Sequence, residues 1–305
     1  MKTILKAGLS LLVSFLLLSS ANAQNERLQS GFSKVYSPKI PESVTFAGKK
    51  IDLTREDMYE RYDRELTSMA YTHGNTLLTL KRANKYLPVL LPILRQNNIP
   101  EDIVYLAFIE SNLNPLALSA AKAAGMWQFM ATTAKEYGLE VNDYVDERYD
   151  IEKATRAACR YLKKAYSRFG NWESVAASYN GGMARVSKEL EAQDETSAYN
   201  LHLVDETNRY MFRLLAMKEI MENPARYGFV LDDSQLYYPA RYETVKVSGP
   251  VDDWVAWAKE HGIDYRTLRE HNPWIRAKSL PNKTGKTYEV KIPVKESLSR
   301  KNHKR

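Results

Sequence analysis

Cysteine is almost missing from this sequence: the 305 residues hold one, Cys159. No disulfide can form within the chain, even in a compartment that would permit one. Cys159 lies in the apolar-periodic stretch Ala154–Leu162, where a lone thiol is expected as a small buried hydrophobe rather than a nucleophile. Histidine is scarce too. The five present show no ligand spacing with one another or with Cys159, so no zinc set is expected, nor any other metal or cofactor. Also lacking is an apolar run of the ~20 residues that span a membrane. The stretch Ala7–Leu18 is shorter, follows Lys2 and Lys6, and precedes Ala21-Asn22-Ala23, which is the grammar of a cleaved secretory signal over residues 1–23. The mature chain would begin at Gln24. No cysteine stands there to be acylated, so the expectation is an exported periplasmic or envelope-associated protein that is not a lipoprotein.

Neither sign of charge dominates. The formal net charge is +7, and without Lys2 and Lys6 the mature chain carries 42 basic against 37 acidic groups, or +5. That mild excess suits an acidic polymer. It is too diffuse for nucleic acid, because no basic patch interleaved with aromatics accompanies it. A hydrophobic content of 44% with 27% charged residues excludes wholesale disorder, and the length accommodates one large domain plus a smaller one. The twenty tyrosines and five tryptophans suit stacking on sugar rings and packing in a core equally well.

Residues 24–54 are polar with scattered proline and glycine and read as an extended lead-in. Helical periodicity then dominates, predicting an all-α domain over 55–225. The candidate helices are Arg55–Thr72, Thr76–Lys85, Lys85–Gln96, Pro100–Ile109, Met126–Tyr137, Ile151–Phe169, Trp172–Tyr179, Val186–Leu190 and Glu206–Met221. Pro100 with Glu101 and Asp102 marks a helix start, while Gly138 and Gly170 fall just past helix ends. A linker follows over 226–241. Residues 242–293 then change grammar: Tyr242–Val247 and Thr287–Ile292 alternate as strands around the short helices Val251–Lys259 and Tyr265–Arg269, a βααβ unit. Residues 294–305 are a basic tail expected to lack order.

The chemistry concentrates after Ile109. A nearly unbroken apolar segment, Ile103–Ile109, ends abruptly in Glu110-Ser111. A carboxylate at the end of a buried helix is desolvated, which raises its pKa toward the range of a general acid. The same feature also fits a glutamate that merely emerges into solvent. Further along come Ser119, Gly125-Met126-Trp127-Gln128-Phe129-Met130, Tyr179-Asn180-Gly181-Gly182 and Glu206-Thr207-Asn208-Arg209-Tyr210.

Over roughly Leu87–Tyr227 these ordered blocks resemble the catalytic domain of soluble lytic transglycosylases, a lysozyme-like all-α fold shared with goose-type lysozymes. Followed by its small C-terminal unit, the arrangement looks most like the membrane-bound transglycosylase D type, without that type's lipid-anchoring cysteine. The resemblance implies that Glu110 protonates the glycosidic oxygen between N-acetylmuramic acid and N-acetylglucosamine. It implies that the same group then acts as base while the muramoyl C6 hydroxyl closes a 1,6-anhydro ring. It makes Ser119, Gly125, Gln128, Met130, Tyr179 and Asn180 substrate-binding residues, with Tyr179 hydrogen-bonding near Glu110 or the acetamido group and Gly125 admitting close approach of the glycan. Ser111, Glu206 and Tyr210 would support them from behind. The expected partners are peptidoglycan glycan strands, with cell-wall proteins as further partners, and the chain is expected to act as a monomer.

The C-terminal unit resembles a LysM domain, a module that binds N-acetylglucosamine-containing glycans. It departs from that family after its first strand, where Gly249-Pro250-Val251-Asp252-Asp253-Trp254 replaces the usual Gly-Asp-Thr-Leu, in a loop where ligand would sit. Two other functions compete. A goose-lysozyme-like hydrolase would need a second acid to activate water, for which Asp143, Asp146 and Glu147 are the nearby candidates. A non-catalytic wall-binding scaffold would have no use for Glu110.

Overall fold

The computed structural model describes residues 35–303; the expected signal segment and its cleavage site lie outside them. Where an extended lead-in was expected, the chain folds into a hairpin. Strands β1 (Ser43–Phe46) and β2 (Lys49–Asp52) pair antiparallel with Ser43 opposite Asp52 and Phe46 opposite Lys49. The two-residue turn has positive φ at both Ala47 and Gly48, the geometry whose twist matches paired strands. Phe46, Ile51 and Leu53 anchor this hairpin in the main core, and the Ala47 amide donates to Asp102 Oδ2 at 2.8 Å.

Helix α1 (Glu56–Tyr71) buries Met58, Tyr62, Leu66 and Ala70, a stripe at every fourth residue that closes one face over the core. Helix α2 runs unbroken from His73 to Gln96, whereas the sequence predicts two helices meeting at Lys85. Pro88 and Pro92 lie inside it. Each removes one backbone hydrogen bond, yet Leu90, Ile93 and Leu94 on its inner face are buried and hold the line of the helix. A short 3₁₀ turn, Glu101–Val104, leads into α3 (Tyr105–Ser111). This helix stops because Asn112 and Leu113 are left-handed.

The predicted helix Met126–Tyr137 shortens to α4 (Ala131–Glu136). Gly125 and Gln128 have φ of +78° and +50°, which a right-handed helix cannot contain, so residues 112–130 form a folded loop. Helix α5 (Ile151–Phe169) starts at Asp150, whose side chain accepts from the Lys153 amide, and stops at left-handed Gly170. Its inner face is built of small residues, including the fully buried Cys159, so neighbouring helices approach closely. Helices α6 (Trp172–Gly181), α7 (Met183–Ala192) and α8 (Asp205–Glu222) complete the helical part. Helix α8 packs on α1, α3 and α6, so its buried Tyr210, Phe212 and Leu214 occupy the centre of the core.

At the C-terminus β3 (Tyr242–Val247) and β4 (Tyr288–Pro293) pair antiparallel, with α9 (Trp254–Glu260) and α10 (Tyr265–His271) between them. This βααβ module has its own core around Trp254, Leu268, Trp274 and Tyr288. The departing loop feeds that core: Asp253 caps α9 and Trp254 is fully buried. The tail is more ordered than expected. It makes two 3₁₀ turns, Lys295–Leu298 and Arg300–His303, and the Val294 amide donates to the Arg241 carbonyl at 2.8 Å. From Ile40 onward the chain is one compact body, and no helix among the described residues is long and apolar enough to cross a membrane.

Candidate active site

Glu110 occupies the last turn of α3, half-buried, where α3 meets α8. Its Oε1 accepts a hydrogen bond from the Tyr210 hydroxyl at 2.8 Å. Burial pushes its pKa from the usual 4.5 up to about 7. The Tyr210 bond and the nearby Arg213 charge act the other way, while Glu206 adds to the rise. Desolvation wins because only one hydrogen bond and one more distant cation favour the charged form.

The two site tyrosines differ in what their hydroxyls bond. Tyr179 does not donate to Glu110; its hydroxyl donates to the Trp127 carbonyl at 2.8 Å. Its ring packs edge-on against Trp127, Phe129 and Tyr161. Tyr210, predicted to stand behind the cleft, makes the direct bond to the acid. Burial and the Glu110 carboxylate hold both phenols well above the ordinary tyrosine pKa, so both remain protonated donors.

The loop between α3 and α4 is stitched by residues predicted to touch substrate or to support those that do. Ser111 Oγ lies 2.9 Å from the Met126 carbonyl oxygen and 3.0 Å from that of Ala107, joining the end of α3 to the loop. Gln128 Nε2 donates to the Gly125 carbonyl at 2.8 Å and the Ala117 carbonyl at 3.3 Å. Ser119 Oγ accepts from the Ala123 amide at 3.0 Å and closes a turn. Gly125 is required by a protein contact: a Cβ there would fall 1.9 Å from the Arg148 carbonyl oxygen. The engaged groups of Ser119, Gln128 and Gly125 therefore shape the loop. Among the predicted binding residues Met130, at the start of α4, is exposed (43%), while Ser119, Gln128, Tyr179 and Asn180 are half-buried. Asn180 accepts from Thr207 Oγ1 at 2.8 Å, and its Nδ2 lies 3.5 Å from exposed Glu206.

Two of the three candidate water-activating acids are otherwise engaged. Asp146 forms a buried two-pronged pair with Arg148, and Glu147 accepts from Lys153, Lys286 and the Glu140 amide; Asp143 is exposed. Sequence reasoning missed Arg148, Thr207 and Arg213. Nothing local to the charged run Asp146-Glu147-Arg148 signals its burial. Beside Glu110 a groove of about 440 Å³ runs between α1, α2 and α8, with Met69, Thr76, Ile109, Glu206 and Arg213 among its lining residues. Among the described residues no group of three His, Cys, Asp or Glu side chains is arranged to hold a metal.

The model of the transglycosylase SLT domain matches residues 92–202, from α2 through Glu110, the stitched loop and Asn180. This part of the chain is similar to transglycosylase SLT domains. Residues 243–296 match a soluble lytic transglycosylase C-terminal LysM-like domain, so the βααβ module follows the SLT domain as a second matched part. Over 244 residues the chain is 32% identical to the membrane-bound lytic murein transglycosylase D of Escherichia coli (strain K12), covering 77% of this chain and 51% of that protein. The chain thus spans about half the length of this relative. Over 123 residues it is 34% identical to the peptidoglycan transglycosylase gp16 of Escherichia phage T7, covering 39% of this chain and 9% of that one. A solved structure, the 70 kDa soluble lytic transglycosylase of Escherichia coli, overlaps 56% of this chain and 35% of its own at 20% identity, with a TM-score of 0.39. Glu110 and its loop fall within the matched residues 92–202; Tyr210 lies beyond them, on α8.

Proposed function

We propose that this chain is an exported peptidoglycan lytic transglycosylase that cleaves the β-1,4 bond between N-acetylmuramic acid and N-acetylglucosamine, with Glu110 as its single acid and base. The observation that carries the reading is a half-buried carboxyl group inside an SLT domain, raised to about 7 and held by one phenol. Such a group is protonated on a sizeable fraction of molecules near neutral pH and ionises readily afterwards.

With Tyr210 on Oε1, the proton resides on Oε2. It passes to the glycosidic oxygen as the bond from C1 of the muramoyl residue breaks, and the acetamido group of the substrate holds the developing positive charge. The C6 hydroxyl then attacks C1 and returns its proton to Glu110, closing the 1,6-anhydro ring and regenerating the acid. No water is consumed. Hydrolysis by a second carboxylate is disfavoured because Asp146 and Glu147 are committed to Arg148, Lys153 and Lys286. Met130 and Asn180 border the glycan in this reading, the catalytic part spans 55–225 and the LysM-like part 242–293, and the mature protein works as a monomer at the cell envelope.

Mass spectrometry of muropeptides released from purified sacculi tests this, with Glu110→Gln beside the wild type. Anhydro-muropeptides from the wild type alone are expected. Reducing-end products would replace the reading with hydrolysis, and no products from either protein would replace it with a wall-binding scaffold.

A further inference from the structure

One backbone segment is built into both the catalytic loop and the C-terminal module. Val145 belongs to the core of the module, fully buried, and bridges to Ile275. On either side of it the Arg276 amide donates to the Tyr144 carbonyl and the Asp146 amide to the Trp274 carbonyl, both at 2.8 Å. Lys286 reaches across from the module to Glu140 at 2.8 Å and Glu147 at 2.9 Å.

Two residues past Asp146 the same segment turns to the catalytic loop. The Arg148 guanidinium is gripped by Asp146 through two hydrogen bonds, 2.9 and 2.7 Å long. Its remaining prong, Nη1, donates to the carbonyls of Lys122 at 2.9 Å and Phe129 at 3.0 Å. Those carbonyls bracket Gly125, which itself rests on the Arg148 carbonyl. The loop then passes the constraint on. The Met126 carbonyl meets Ser111, the residue after Glu110, and the Trp127 carbonyl receives Tyr179. A planar guanidinium that joins two carbonyls and a carboxylate fixes their spacing in a way a flexible ammonium cannot.

We infer that the C-terminal module is a clamp on the active site: through Tyr144–Arg148 it holds the 117–130 loop against the end of α3, and Arg148 is the positioning residue that transmits the hold. The mechanical part of this inference stands on the hydrogen bonds alone; its effect on rate rests on the transglycosylase reading above. A module whose work is only to capture glycan would leave the loop's order and the turnover number untouched. A clamp predicts that loosening the module degrades both.

The test uses the full-length chain with Arg148→Lys, which keeps the charge and loses the fork, and Lys286→Met, which loosens the module from outside the catalytic domain. Amide hydrogen exchange and turnover of purified glycan strands are measured on each. For Arg148→Lys, exchange over residues 117–130 should quicken by about tenfold or more while α5 stays protected, and kcat should fall by about tenfold to a hundredfold with KM nearly unchanged. Lys286→Met should move both quantities the same way by a smaller factor, and Lys286→Arg should restore them. Unchanged loop exchange in both variants would overturn the clamp, as would a raised KM with kcat intact. If Arg148→Lys exchanges globally because it fails to fold, Lys286→Met decides by the same readouts. If the wild type releases no product, the transglycosylase reading fails while the exchange data still decide the clamp.

Discussion

Two glutamates withdrawn from water, Glu110 and Glu147, have been driven in opposite directions. Glu147, 2% exposed, accepts from two lysines and a backbone amide, and its pKa falls below the usual 4.5 although burial alone would raise it. Glu110 is less deeply covered, accepts one hydrogen bond from a neutral phenol, and rises to about 7. Burial sets the cost of charge in both places; the number of cationic and amide donors decides whether that cost is met. At these two positions the supply of donors separates the depressed carboxylate from the raised one.

The sharpest way to break this contrast is to remove the acid. Glu110→Gln should lower muropeptide release by about a hundredfold to ten-thousandfold, read by mass spectrometry or by clearing of sacculi, with the fold intact by circular dichroism. Next in size is Gly125→Ala. The added Cβ would collide with the Arg148 carbonyl, at a φ that alanine tolerates poorly, and the loss of stability in urea titration should reach about 3 kcal/mol. Glu147→Gln should cost less, about 1–3 kcal/mol, because Lys153 and Lys286 are partly exposed and regain water.

The pH dependences should have opposite signs. The folded-state pKa of Glu147 is depressed, so its contribution is present above about 4.5 and is lost as pH falls below that value. That of Glu110 is raised, so the folded state binds the extra proton between 4.5 and about 7, and stability declines as pH climbs through this window. Comparing melting temperatures at pH 5 and pH 8, Glu110→Gln should gain on the wild type at the higher pH and Glu147→Gln should lose most of its deficit only below pH 4.5. The smallest effect is expected from Tyr210→Phe. Without the phenol the Glu110 pKa rises further, so the alkaline limb of activity, expected near 7 in the wild type, should shift upward with a rate loss of about threefold to tenfold.

The helical part was readable because α1 and α5 repeat their apolar faces at the helical period and α5 carries its start and stop residues, Asp150 and Gly170. The raised pKa of Glu110 was readable from the abrupt end of an apolar helix. What escaped depended on contacts distant in sequence or on backbone handedness. The hairpin turn at Ala47-Gly48 joins strands of four residues each, so the alternation Ser43-Val44-Thr45-Phe46 is too short to stand out from its polar surroundings. The left-handed Gln128 breaks a stretch whose composition suits a helix, and only the stitches to Gly125 and Ala117 make that conformation favourable. Tyr179 and Tyr210 cannot be told apart by residue type; which one reaches Glu110 is set by how α6 and α8 cross α3. Arg148 was invisible for the same reason, since its partners at Lys122 and Phe129 lie 26 and 19 residues away.

The solitary thiol offers a use beyond packing. Cys159 is wholly enclosed on α5, and burial pushes it up to about 11, so in the folded molecule it is both out of reach and almost entirely un-ionised. An alkylating reagent can label it only when the helices part. With no second cysteine to complicate the reading, the labelling rate becomes a clock for core opening, available without any engineered probe.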